Sequence, residues 1–575
     1  MRMKSLAICL LAVMHAVTVS VRGQDASPAS AGASQERPAS MVPAIAAGDP
    51  ASASVLGSGR WVKIAVTGEG IYRLDYSRLR DMGFTDPASA VLYGNNAGQL
   101  SFRNDGTAPD DLKKIAVRAE KGSDGIFNEG DYLLFYAEGT HRRVTDTGSG
   151  EYRFLRHHYS DTAWYFITSQ AGGAPALKTE TPPAAAPSYL STATDVFMRH
   201  EKEDVNLIRS GREWYQQVTS GTQIGIGPGF TDLVTSERIR YTVRVAGRSD
   251  TETSFTLRQG SDPVRTMTVP PVTMTDLNGV YAETVTVTDS VLPSSATPAF
   301  SLTFSSGGNM AATGYIDYAD FRARASLVWR DRLLFIHDSR SVGPAAVTRF
   351  TVQGSASLKV WDITDPYAPL EIQTTAASGN TLFYAATDSL RRFVAFTPAQ
   401  VRQPLRSVQV TNQNLHALIP ADMVIVTHPL FRPYADKLAA LHLAEDGITS
   451  IIVTPEQVYN EFSGGIPDAA AIRNFVRMIR DRGRNGGPPL RYLLLFGDGS
   501  YENITPPPGN SSFIPTWQSV NSTTGVLSFT SDDFYGLLDE GEGEADGFLD
   551  IGIGRLPAYD TTSAGIMVRK ITSYI

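Results

Sequence analysis

Apolar positions along this chain follow two rhythms, and the change falls near residue 415. Before it, apolar and polar residues alternate in short runs closed by Gly, Ser, Asp or Pro. Examples are WVKIAV (61–66), IAVRAE (115–120), AWYFITS (163–169), ERIRYTVRVAG (237–247), SFTLRQG (254–260) and AFSLTFSS (299–306). A period of two puts successive side chains on opposite faces, so each run predicts a half-buried strand. Their fairly even repetition predicts antiparallel sandwich architecture. After residue 415 the strands become continuously apolar: ADMVIVTHP (421–429), ITSIIVT (448–454) and RYLLLFGD (491–498). Between them lie helical patterns. One runs from Tyr434 to Glu445, one starts at Pro455, and one covers 468–482. The last is opened by Asp468 as N-cap, with Ile472, Phe475, Val476 and Ile479 at helical spacing. Continuous strands alternating with helices predict a parallel sheet covered on both faces.

These rhythms predict a multidomain chain: antiparallel β-rich domains first, then an α/β domain with a mostly parallel sheet. The expected divisions are 59–145 (small α+β), 146–330 (sandwich-like), 331–414 (β-rich connector) and 415–575 (α/β). Two segments precede them. Arg2 and Lys4, the apolar run Ser5 to Val21 and the small or polar Gly23, Gln24 and Ala26 read as a signal peptide over 1–23. The run is short for a membrane span and is broken by His15, Thr18 and Ser20. Residues 24–58 are mostly Ala, Ser, Pro and Gly with a few charges and predict a disordered leader.

Composition narrows the function. The net charge is −8 and the basic residues are dispersed, which argues against nucleic acid as a partner. The only cysteine is Cys9, inside the signal-like run, so disulfides cannot staple the processed chain.

Candidate chemistry gathers at the ends of the buried strands, where ligands bind in open α/β sheets. His428 and Asp498 each follow such a strand; a hydrogen-bonded strand-end histidine and a structural turn are the plainer readings. Ser500 lacks the flanking glycines of a nucleophile elbow, since Asp498 and Glu502 occupy those positions. Between Asp532 and Asp550 lie eight carboxylates, among them Asp532, Asp533, Asp539 and Asp546. Such density is relieved by a hard cation, so these four are the candidate metal ligands and calcium the candidate ion; a solvated acidic loop is the alternative. No cofactor is required by anything in the pattern. A second acidic turn carries Asp124, Asn128, Glu129 and Asp131 without matching an EF-hand.

The order of a buried strand ending in Gly497-Asp498, then SDDFYG (531–536), then DIGIGRLP (550–557) and a helix, resembles the gingipain family of cysteine peptidases. That resemblance implies a caspase-like fold, here with only the N-terminal half of the peptidase domain. Upstream, GRWVKIAVTGEGIYRLDYSRL (59–79), SGREWY (210–215) and NQNLH (412–416) resemble the sortase branch of that family, which serves type IX secretion. In the family a Cys nucleophile and a His base follow the GRLP-type strand. Neither position has a match up to residue 575, so no catalytic residue is assigned and the fragment is expected to be inactive alone. The implied partners are secreted cargo with a C-terminal sorting domain and other type IX components at the outer membrane. The implied location is the periplasm or outer-membrane surface of a Gram-negative bacterium. The competing expectation is a non-catalytic exported β-rich scaffold carrying a degenerate peptidase half-domain.

Overall fold

The computed structural model describes residues 51–574, apart from 96–97, 146–151, 228, 277 and 507–510. The expected signal peptide, and the expected leader up to residue 50, lie outside the described residues. Residues 51–58 are not leader. Val55–Gly57 form a 3₁₀ turn, and Leu56 is fully buried beside Trp61 and Val91. Main-chain amides of Ser54 and Val55 donate to Asn414 and Asp111. One buried leucine and two tertiary hydrogen bonds anchor a segment whose composition alone reads as disordered.

The β-rich part is built as the period of two predicts, but its sheets ignore the expected boundaries. The first sheet is ordered Ser407–Val410, Trp61–Val66, Ala163–Ser169, Ala90–Gly94, Lys113–Ile115, all antiparallel. Three of the expected divisions contribute to it, so lines drawn at 145/146 and 330/331 cut through a sheet. The pattern of a strand reports which face is buried, not which strand lies beside it. The sandwich is regular. Ala193–Glu201, Thr313–Ser326, Ile239–Arg248 and Glu283–Val291 form one sheet, and Gln223–Gly225, Phe300–Ser305, Thr253–Gln259 and Asp262–Val269 the other. Phe255, Phe304, Phe300 and Phe321 fill the space between them. Two parallel pairs interrupt the antiparallel rule: Lys178–Glu180 with Leu370–Ile372, and Tyr189–Ser191 with Val347–Val352.

Past residue 415 the sheet is parallel, in the order Ser450–Val453, Met423–Thr427, Tyr492–Phe496, Gly552–Leu556. Helices cover both faces, as the continuous apolar strands require. Val424 and Val426 pack under Ala469–Arg484 and Pro455–Phe462. Met423 and Ile425 turn the other way, toward Arg432–Asp446 and Thr561–Thr572. The helix starts follow the sequence: Asp468 accepts from the Ala470 amide at 2.8 Å, and Thr454 caps Pro455–Phe462 through a capping box. The first of these cores also takes in Leu100, Phe102 and Tyr159. The α/β domain and the β-rich part therefore share one hydrophobic core. No helix among the described residues is long and apolar enough to cross a membrane.

Candidate functional site

The carboxyl ends of the parallel strands meet the β-rich part along one side of the molecule. His428 sits directly after Met423–Thr427 and caps the turn Pro429–Phe431, its Nδ1 accepting from the Leu430 amide at 3.4 Å. Its ring lies 4.2 Å from that of Phe513, and burial lowers its pKa, so the imidazole is a neutral acceptor. That is the plainer of the two sequence readings. Asp498 follows Tyr492–Phe496. Both of its carboxylate oxygens take the Ser511 hydroxyl, at 2.9 and 2.8 Å, while burial raises its pKa. His428 and Asp498 share no hydrogen bond with each other and form no catalytic pair.

Arg555 of the GRLP-type strand ties this edge together. Its fork holds both oxygens of Asp532, at 2.8 and 2.6 Å, and reaches the carbonyls of Gly497, Ile514 and Pro515. A planar guanidinium can serve five acceptors in this way and an ammonium cannot.

The segment SGREWY comes from the polar stretch that follows the sandwich strand Ala193–Glu201 and docks on residues 519–528. The Arg212 amide donates to the Ser519 carbonyl at 3.0 Å. The Glu213 amide donates to the Ser522 hydroxyl at 2.9 Å, and the hydroxyls of Ser210 and Ser528 are 2.8 Å apart. Gly211 has φ +81° and faces the Asn521 carbonyl, an approach only glycine permits. This docking closes a cavity of about 230 Å³ whose walls come from both parts of the chain. Arg156, His158, Arg212 and Trp214 line one side, and Tyr501, Glu502, Thr516 and Gln518 the other. The rings of Trp214 and Tyr501 stack 5.9 Å apart.

Charge in the cavity is set by burial. Glu203 is pushed up to about 8 by desolvation, with Arg156 pulling it down and Glu201 beside it adding to the rise. Burial, then the Arg212 charge, hold His158 far below its ordinary value, and it is neutral. The sequence pattern marked SGREWY as family-like but gave no sign that it forms a wall of this cavity.

The four residues expected to bind calcium are not brought together. Asp532 is taken by Arg555. Asp533 is exposed at the start of the turn Asp533–Gly536. Asp546 faces Arg103 at 3.5 Å. Asp539 lies near Glu542 and Asp550, with one oxygen from each within 4.8 Å of the others. Arg480 already sits there, bonded to Asp539 at 2.9 Å, to Asp550 at 2.5 Å and to the Leu538 carbonyl. Arg484 adds contacts to both acids at 3.4 and 3.2 Å. Glu542 spends its oxygens on the amides of Asp539 and Phe548. The crowding of acids in this loop is relieved by arginines from Ala469–Arg484 and from the GRLP strand, and the residues do not fit a calcium shell. In the turn near Asp124, Asp131 accepts from the amides of Gly122 and Asn128, and Asp124 from Ile126. These carboxylates close the turn itself.

Residues 416–575 match the family model for peptidase family C25. Over these residues the chain carries a gingipain-type domain. The family is one of cysteine peptidases, and its boundary coincides with the change of rhythm near residue 415. The whole fold is similar to that of dimeric latent PorU from Porphyromonas gingivalis, with a TM-score of 0.78 and 25% identity over 91% of this chain. The chain spans about half the length of that relative, 50%. The insecticidal delta-endotoxin Cry8Ea1 of Bacillus thuringiensis, at 8% identity over 46% of this chain and 52% of its own, reaches a TM-score of only 0.17 and carries no argument. No curated protein sequence is significantly similar to the chain.

Proposed function

We propose that this chain is the N-terminal part of a sortase-like cysteine peptidase that removes the C-terminal signal of secreted cargo at the surface of a Gram-negative cell. The observation that carries the reading is the likeness to latent PorU across both the β-rich part and the gingipain-family domain, together with the core and cavity these two share. In this reading a thiolate, generated by a His base, attacks the peptide carbonyl at the signal junction and forms an acyl-enzyme. Those two groups follow the GRLP-type strand in the family. The residues described here supply the frame: Arg555 fixes the loops at the strand ends, and the SGREWY segment walls the cleft beside them. The partners are cargo with a C-terminal sorting domain and other type IX components at the outer membrane.

Deleting the gene tests the role in the cell. The reading expects cargo to accumulate with its C-terminal signal still attached, and reintroducing the complete gene to restore processing. Fully processed cargo in the deletion strain would overturn it.

A further inference from the structure

The cavity between the sandwich and the gingipain-family domain is lined by two polar side chains of opposite character, each with a buried atom that has no hydrogen-bond partner. The first is Arg212. Its guanidinium lies over the rings of Phe102, at 4.6 Å, and Trp517, at 5.7 Å. Among the described residues it makes no ion pair or side-chain hydrogen bond, and its Nε is buried without a partner. Burial accordingly pulls its pKa down. The other arginine of the wall, Arg156, is already held by Glu203 at 3.3 Å and Glu201 at 3.8 Å. The second orphan is the Oε1 of Gln518, a residue only 3% exposed. Its Nε2 donates to the Tyr501 carbonyl at 2.9 Å, which fixes the amide and leaves Oε1 as a bare acceptor.

A buried cation without a counter-ion is costly, and so is a buried acceptor without a donor. Both costs are relieved at once by a ligand that carries a carboxylate and an N–H group a few bonds apart. A planar carboxylate suits a planar guanidinium fork, and aromatic faces on either side keep water from competing. We propose that this cavity is a subsite for an acidic residue of a peptide. Its side-chain carboxylate pairs with Arg212, and a main-chain N–H donates to Gln518 Oε1. His158 is neutral and Arg156 is paired with Glu201 and Glu203, which leaves Arg212 as the arginine of this wall without an ion-pair partner. Arg212 is a binding residue in this proposal. The proposal deepens the peptidase reading, on which it rests for the class of ligand.

Calorimetry on the full-length protein with small blocked amino acids tests the subsite without needing turnover. N-acetyl-glutamate amide and N-acetyl-aspartate amide are compared with N-acetyl-glutamine amide, with N-acetyl-alanine, whose carboxylate is terminal, and with inorganic phosphate. The acidic amides are expected to bind at least tenfold more tightly than the glutamine analogue. Arg212→Gln should lose that difference. Gln518→Glu keeps the side-chain shape, guards against a misfolded arginine variant, and should weaken acid binding at least tenfold. Equal binding of the acid and its amide, tighter binding of N-acetyl-alanine or phosphate, or acid binding that survives both substitutions would each overturn the proposal. A failure here leaves cargo processing untouched, and a failure of cargo processing leaves this binding measurement standing.

Discussion

Trp214 and Tyr501 stack with ring centroids 5.9 Å apart and planes 13° from parallel. They lie 287 positions apart along the chain, one in the segment after the sandwich strand Ala193–Glu201 and the other in the loop after a buried parallel strand. Their pairing marks where the β-rich part is seated on the gingipain-family domain, and it joins the two sides of the cavity there. An aromatic pair of this kind contributes about 1 kcal/mol beyond its buried area. Most of the joint must rest on the backbone contacts beside it.

Gly211 is the residue those contacts depend on. At φ +81°, an added Cβ would press on the Asn521 carbonyl and the Ser522 hydroxyl. Gly211→Ala should lower stability by roughly 2–4 kcal/mol and expose residues 519–528 to protease. An unchanged melting temperature and cleavage pattern would show that the docking is incidental.

His416 opens the gingipain-family domain and is buried between acids. Its Nδ1 lies 2.6 Å from Glu461, its Nε2 lies 3.3 Å from Asp110, and its ring stacks on Phe462. Burial opposes its charge, but Asp110 and Glu461 prevail and raise its pKa from 6.5 to about 9. The folded state holds this proton more tightly than the unfolded one. Its contribution is therefore complete below about pH 6.5 and is lost as pH rises through about 9, amounting to at most roughly 3 kcal/mol. Thermal denaturation across that window should show the loss, and His416→Gln should flatten it. A wild-type profile identical to that of the variant would contradict the pairing.

Much of this architecture could be read from the pattern of apolar residues. The switch near 415, the three helices with Pro455 opening one and Asp468 capping another, and the buried strands all follow from local periodicity and end chemistry. Two things could not be read. One is which strands pair: Trp61–Val66 lies between Ser407–Val410 and Ala163–Ser169, and nothing in an alternating pattern names a neighbour so far along the chain. The other is the set of arginines that answers the acidic loop. Arg480 and Arg484 sit in a helix more than 50 residues upstream of Asp539, and their placement emerges only once the helix packs across the sheet.

With its acids met by arginines, the loop is expected to hold its shape without calcium. Adding calcium or a chelator should leave the melting temperature unchanged. Arg480→Met should destabilise the domain by roughly 1–3 kcal/mol, because Asp550 loses its shortest ion pair and the Leu538 carbonyl its donor, while Arg484 still reaches Asp550. A rise of several degrees on adding calcium to the wild-type protein would restore the metal reading.

Arg555 is a further test of the frame. Arg555→Lys keeps the charge but loses the fork that joins Asp532 to the carbonyls of Gly497, Ile514 and Pro515. A loss of roughly 1–3 kcal/mol and faster proteolysis of the loop 497–515 are expected. Full stability in the lysine variant would mean that charge alone suffices.

Under the proposed function this fold serves a thiol peptidase acting on a cargo signal. The most direct measurement incubates the protein expressed from its complete gene with purified cargo bearing its C-terminal signal domain, and follows both by mass spectrometry. The account predicts release of the intact signal domain at a single junction, abolished by prior alkylation with iodoacetamide. Cargo left whole, or cleavage that alkylation does not touch, would contradict it.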